Sequence, residues 1–295
     1  MTVSQISGRP TRSVLYMPGS NARALEKAKT LAADALILDL EDAVAPDQKA
    51  VARAQVCAAA AAGGFGRRQV VIRINALDTP WGADDLAAAA KASPDAVLLP
   101  KPNDGRDIER ATDALRRAGA PDTVKLWAMV ETPLAILNIR ELAGSARHAG
   151  ARLTCLVLGT NDLVKETRIE LDAARTAALF WLSASVTAAR AYGLTVLDGV
   201  YNNFKDLDGL NQECAQGRML GFDGKTLIHP DQIAAANRFF APAVEEVAWA
   251  RKIIAAFELP ENKGRGVMTL EGKMVELLHA DMARRTVAIA EAIGG

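Results

Sequence analysis

Eight short apolar runs punctuate this chain, at residues 13–17, 35–40, 70–74, 96–99, 126–130, 155–158, 195–200 and 226–228. Each is too short and too β-branched for a helix, and each is bounded by turn residues. Such runs suit strands buried on both faces. Between them lie alanine-rich stretches of mixed charge with helical patterning, at 22–31, 49–62, 81–90, 105–118, 134–143, 173–192, 207–219 and 231–240. Eight strand-then-helix units predict an α/β chain whose residues 1–240 close into a (β/α)8 TIM barrel. An open doubly wound sheet is the alternative, but it usually carries a Gly-rich phosphate turn after its first strand. Here Pro18-Gly19-Ser20-Asn21 reads as a turn and a helix cap.

Past Phe240 the rhythm changes. Residues 242–257 read as a helix, 264–272 as a hairpin-like segment and 274–293 as a last helix. Residues 241–295 are therefore a C-terminal helical extension, expected to serve as an oligomer contact or a lid.

A length of 295 residues accommodates one barrel of about 250 residues with an appendage. Acids and bases balance at 35 each, which leaves no basic footprint for nucleic acid and no polybasic stretch for a membrane surface. Small metabolites are the expected partners. Cys57, Cys155 and Cys214 form no CxxC pair, so neither a zinc ribbon nor a disulfide framework is indicated. No apolar stretch approaches the roughly 20 residues of a membrane helix, and Met1–Pro10 has no apolar leader core. The expected location is cytoplasmic.

The chemistry gathers where the runs end, the rim at which barrels build active sites. Ser20 follows the first run, Asp39, Glu41 and Asp42 close the second, and Arg73 and Asn75 lie on the third. Lys101, Glu131, Asp162, Asp198 and His229 follow in turn on the remaining five. Arg73 shares strand parity with Val71 and Asn75 and so points to one side with them. A buried guanidinium without a carboxylate costs on the order of several kcal/mol, so Arg73 demands an acid from the protein or from a substrate. The plain alternative is a buried ion pair with Glu131 or Glu41 and no chemistry. Glu131 and Asp162 are hard oxygen donors at consecutive exits, a pattern that suits Mg²⁺ or Mn²⁺ completed by waters and substrate oxygens. Zinc would call for His or Cys nearby. His148 and His279 read as surface or packing residues, and His229, followed by Pro230-Asp231, as a helix start. Ser183 and Ser185 lack a nucleophile elbow.

The segments Arg12–Gly19, Leu38–Val44, Arg73-Ile74-Asn75, Leu99-Pro100-Lys101, Glu131-Thr132-Pro133, Leu158–Leu163 and Gly221–Pro230 resemble, in order, the citrate lyase beta-subunit-like family. That family lies within the HpcH/HpaI aldolase superfamily and includes malyl-CoA, citramalyl-CoA and citryl-CoA lyases. The resemblance implies a TIM barrel with Mg²⁺ on Glu131 and Asp162 and with Arg73 holding the carboxylate of a small keto or hydroxy acid. It also implies a homo-oligomer, a trimer or hexamer, whose C-terminal segments reach a neighbour's site. Related aldolases carry Glu-His after the second strand, whereas Glu41-Asp42 here points to thioester substrates. Many relatives end in Gly-Lys-Met-Val-Asp, but this chain reads Gly272-Lys273-Met274-Val275-Glu276, which puts one more methylene on that acid.

The activity so implied is Mg²⁺-dependent carbon–carbon lysis of a 3-hydroxy-3-carboxyacyl-CoA into a keto acid and an acyl-CoA. The metal on Glu131 and Asp162 would chelate hydroxyl and carboxylate, Arg73 would bind that carboxylate at two points, and Glu41, Asp42 or Glu276 would move the proton. Two alternatives share the site. One is a thioesterase on malyl-CoA-like thioesters. The other is a citrate lyase beta-type subunit acting on acyl-carrier-protein thioesters within a citrate lyase complex. Ser20, Asn21 and Lys101 are candidate phosphate contacts for the CoA handle, against ordinary capping and surface charge.

Overall fold

Parallel strands pair in sequence order around a closed barrel, and β8 returns to β1. A computed structural model describes residues 9–294 of the chain. The strands are β1 (Ser13–Pro18), β2 (Ala35–Asp39), β3 (Gln69–Arg73), β4 (Ala96–Leu99), β5 (Lys125–Val130), β6 (Leu153–Leu158), β7 (Thr195–Asp198) and β8 (Gly224–Leu227). The (β/α)8 expectation is met.

The unbroken apolar character of the runs follows from burial on both faces. Val14, Ile37, Val71, Leu98, Trp127, Met129, Val157 and Leu197 fill the barrel interior. Their neighbours in sequence, such as Leu15, Leu36, Leu38, Ile72 and Leu156, join helix residues including Val56, Ile108 and Leu182 in the outer layer.

Three local differences from the sequence reading bear on the site. A helix not foreseen, Thr160–Thr167, starts directly after β6, so Asp162 lies in a first helical turn rather than on a bare strand exit. The stretch 134–143 is two helices, Pro133–Leu137 and Ile139–Gly144, parted at Asn138. The long stretch 173–192 is helical as Leu179–Tyr192, after a 3₁₀ turn Thr176–Ala178 that begins from Arg175 in the left-handed region (φ 51°).

The chain divides into two compact units, Thr11–Phe240 being the barrel. In the second, the helix Val244–Glu258, the antiparallel strands β9 (Val267–Leu270) and β10 (Lys273–Glu276), and the helix Leu277–Gly294 surround a small core of Ala250, Ile253, Val275, Ala280 and Ala283. Glu271 and Gly272 both take positive φ, 49° and 77°, as a two-residue hairpin turn of matching twist requires. The hairpin consumes residues 273–276, so the last helix begins three residues later than its periodicity suggests and Glu276 ends a strand. Residues 1–8, whose polarity argued against a leader, lie outside the described residues. Among the described residues no helix is long and apolar enough to cross a membrane.

Candidate active site

Ala35, Ile37 and Asp39 alternate on one face of β2, and Val71 and Arg73 on the same face of β3, where Asp39 and Arg73 are register partners. Both polar side chains therefore enter the barrel interior at its carboxyl end. Arg73 Nε and Nη2 donate to the two Asp39 oxygens, each at 2.7 Å. Its Nη1 lies 2.8 Å from Glu41 Oε2 and donates to Asp42 Oδ2 at 3.1 Å. The Tyr16 ring covers the guanidinium, 4.9 Å from ring centroid to carbon. Burial is the largest single influence and opposes the charge on Arg73, but Asp39, Tyr16 and Glu41 together outweigh it and hold the group protonated.

Asp39 is the main partner of Arg73; of the ion pairs the sequence offered as the plain alternative, that with Glu41 is present at 2.8 Å, and Asp39 was not considered for the role. The signal was its parity at a position paired with Arg73. Asp39 also shapes the loop that presents the other acids, since its oxygens accept from the amides of Glu41 (2.9 Å) and Ala43 (3.1 Å). Behind that loop the buried Lys49 Nζ donates to the carbonyls of Leu40 and Glu41 and to Asn75 Oδ1, at 2.8, 2.7 and 2.8 Å. Lys49 was not singled out in the sequence, and nothing in its helical context marks it.

Glu131, the residue directly after β5, is fully buried. Its Oε1 accepts from the main-chain amide of Lys101 at 2.8 Å, while its Oε2 is buried without a hydrogen-bond partner. Lys101 stands at φ 52°, and its Nζ donates to Glu41 Oε1 at 2.9 Å. Gly159 leaves the space for this carboxylate. A Cβ there would collide with Glu131 Cβ and come within 2.7 Å of Oε2. Burial, and then the charge of Glu41, push the Glu131 carboxyl up to about 8, against the opposing charges of Lys101 and Arg73; Asp162 adds to the rise. Burial also raises Glu41, partly offset by Arg73. Asp162, half-buried in the first turn after Gly159, is close enough to act on both Glu131 and Lys101.

The orphaned Glu131 oxygen, the hard donor set and the glycine-made space fit a small oxophilic cation. Among the described residues no three His, Cys, Asp or Glu side chains converge on one point. Two carboxylates with waters and substrate oxygens are the donor set that Mg²⁺ accepts.

Other rim candidates sit elsewhere. β3 ends at Arg73, so the strand alternation does not carry to Asn75, which bonds Leu40 O and Asp85 Oδ2 outside the barrel (2.8 and 2.6 Å). Asp198 shares parity with Val196 and faces the helix layer. There it pairs with Arg175 (2.8 Å) and Lys225 (3.0 Å), with Glu213 completing the group. His229 accepts from the Asp231 amide through Nδ1 (3.2 Å) and stacks on Phe204 at 4.7 Å, a cap as its Pro-Asp sequel suggests. Asn21 caps a helix by accepting from the Ala24 amide at 3.0 Å, and Ser20 is exposed. Glu276 belongs to the second unit, where its amide donates to His279 Nδ1 at 2.9 Å.

The profile of the HpcH/HpaI aldolase/citrate lyase family matches residues 12–230, which span every barrel strand. The chain belongs to this family. A (3S)-malyl-CoA thioesterase of Cereibacter sphaeroides is 50% identical over 284 residues, covering 96% of this chain and 96% of its own. The citrate lyase subunit beta of Escherichia coli is 37% identical over 298 residues, covering 99% and 97%. Among solved structures, protein CitE from Mycobacterium tuberculosis, in complex with magnesium, acetoacetate and coenzyme A, superposes with a TM-score of 0.74 at 30% identity, over 95% of this chain and 98% of that one. The matched span holds Arg73, Glu41, Asp42, Glu131 and Asp162; Glu276 lies beyond it.

Proposed function

We propose that this member of the HpcH/HpaI aldolase/citrate lyase family is a Mg²⁺-dependent enzyme acting on malyl-CoA-type thioesters, with thioester hydrolysis as its reaction. The observation that carries the site is the buried, unpartnered Oε2 of Glu131 beside Asp162 and the Arg73 cluster. The reaction is supported by 50% identity to (3S)-malyl-CoA thioesterase along 96% of both chains.

Glu131 Oε2 and Asp162 would hold the cation. Bound Mg²⁺ would supply the positive charge that fixes a substrate's hydroxyl and neighbouring carboxylate and draws electron density from them. Arg73 contributes Nη1, because its other edge is taken by Asp39. The Asp42 contact is the one a substrate carboxylate can displace, since the Asp42 side chain is 63% exposed while Asp39 is 1% exposed. The substrate contact is thus one-point at Arg73, not the two-point clamp expected from sequence. Glu41, raised by burial and held by Lys101 and Arg73, is placed to take a proton from water attacking the thioester carbonyl. The C–S bond then breaks, leaving malate and CoA thiol. Asp42 and Glu276 are the other acids proposed for proton transfer.

The second reading is carbon–carbon lysis, which the 37% identity to citrate lyase subunit beta favours. The same carboxylates would then serve a retro-Claisen cleavage: Glu41 would take the hydroxyl proton, the bond from the hydroxyl-bearing carbon to the thioester's α-carbon would break to leave a keto acid, and the thioester enolate would take that proton back on carbon and depart as an acetyl thioester. In this reading the chain could also work on acyl-carrier-protein thioesters beside partner subunits. Incubation with Mg²⁺ and malyl-, citramalyl- or citryl-CoA, with thiol, keto acid and acyl-CoA followed together, separates the readings. Stoichiometric thiol and hydroxy acid, lost with EDTA, support the hydrolase. Keto acid with acyl-CoA in equal amounts establishes the lyase instead.

A further inference from the structure

Among the described residues Lys101 hydrogen-bonds both rim glutamates, Glu41 and Glu131, and it does so with two different donors. Its main-chain amide donates to Glu131 Oε1 at 2.8 Å, and its Nζ donates to Glu41 Oε1 at 2.9 Å. The first bond goes with the left-handed backbone (φ 52°), which a residue with a Cβ adopts only at a cost. The side chain is 36% exposed, so its ammonium stands at the open mouth of the barrel rather than in the core.

From this division of donors we infer that Lys101 is a positioning residue with two separable tasks. The amide engages Oε1 of Glu131, leaving Oε2 as the oxygen presented to the cation in a one-point contact. The Nζ holds Glu41 against Arg73, so that its carboxylate faces the substrate and not the metal ligand. The side chain at this position serves proton transfer, while the backbone at this position serves the metal. This inference rests on the Mg²⁺ reading of Glu131 given above.

Three variants separate the tasks. Lys101→Gly and Lys101→Met keep the amide and remove Nζ, and glycine adopts positive φ freely. Lys101→Val also removes Nζ, but a β-branched residue strongly disfavours positive φ and draws the amide away from Glu131. Mg²⁺ affinity is read by titration calorimetry on the purified protein, and kcat and KM are read separately on malyl-CoA. Lys101→Gly and Lys101→Met are expected to bind Mg²⁺ within about threefold of wild type while kcat falls about tenfold at little-changed KM, as for loss of one charge-assisted bond. Lys101→Val is expected to lose about tenfold or more in Mg²⁺ affinity as well, the scale for displacing a group that orients a metal ligand.

Wild-type Mg²⁺ affinity in Lys101→Val overturns the backbone task. Weakened Mg²⁺ affinity in Lys101→Gly, or unchanged kcat in both Lys101→Gly and Lys101→Met, overturns the side-chain task. Those two results decide the side-chain task even if the valine variant fails to fold. Absence of Mg²⁺ binding by the wild type would instead reject the metal reading itself and this inference with it.

Discussion

Glu131 concentrates the physics of the site in one carboxyl group. It is ordinary in sequence, an acid one step past an apolar run, but burial beside Glu41 and Asp162 lifts it to about 8. The sign of the consequence follows from linkage. The unfolded group titrates near its ordinary 4.5, so the folded protein without metal prefers the protonated form. The stability this preference provides is complete below about pH 4.5 and is lost as pH rises through about 8. Thermal melts in EDTA from pH 5 to 9 should therefore show wild type losing stability towards high pH relative to Glu131→Gln. Added Mg²⁺ should restore wild type alone. Parallel melting of the two proteins at all pH values would show that the carboxyl is not strained. What the sequence showed of this residue was its position. Its orphaned Oε2 depends on Gly159 and on the left-handed backbone of Lys101, and neither carries a periodic signal.

The elements explain why some rim residues were legible and others not. A strand's alternation fixes which way a side chain points, so Asp39 and Arg73, at matched positions inside β2 and β3, could have been paired from parity alone. Parity also tells against Asp198, which faces outward with Val196, and against extending the pattern from Arg73 to Asn75 once β3 has ended. The helix Thr160–Thr167 was hidden because it follows β6 after Gly159 alone and has no apolar stripe of its own length. Asp198, Lys225, Arg175 and Glu213 form a balanced set of charges behind the barrel, with Lys225 and Asp198 fully buried. Removing one member strands the others, so Lys225→Met should cost about 3–5 kcal/mol of stability in denaturant unfolding. Mg²⁺ affinity should stay at the wild-type level at permissive temperature. A loss below about 1 kcal/mol would show that water or rearrangement replaces the missing charge.

At the scale of the whole molecule, the barrel was readable because eight runs buried on two faces have few other solutions. The second unit's two helices and the hairpin between them were readable, but β10 was merged with the last helix, because a four-residue strand is too short to separate from the helix that follows it. Exposed Met274, Leu277, Leu278 and Met282 cluster on this unit, and the family resemblance implies that such a segment serves a neighbouring subunit. We extend that proposal to Glu276. If it acts in a neighbour's site, Glu276→Gln and Glu131→Gln should each be inactive alone, yet co-expressed chains should regain a measurable fraction of turnover in mixed oligomers. No recovery in oligomers shown to be mixed would confine Glu276 to its own chain or remove it from the reaction. Glu131→Gln alone is expected to lose about 10²-fold or more in turnover, as when a key charge-stabilising group is removed.

The claim on which the rest depends is that Glu131 and Asp162 form a Mg²⁺ site, and calorimetric titration of Mg²⁺ into wild type, Glu131→Gln and Asp162→Asn tests it most directly. One ion per chain should bind wild type, with affinity lower by about tenfold or more in each variant. Equal affinity in all three proteins would contradict the site.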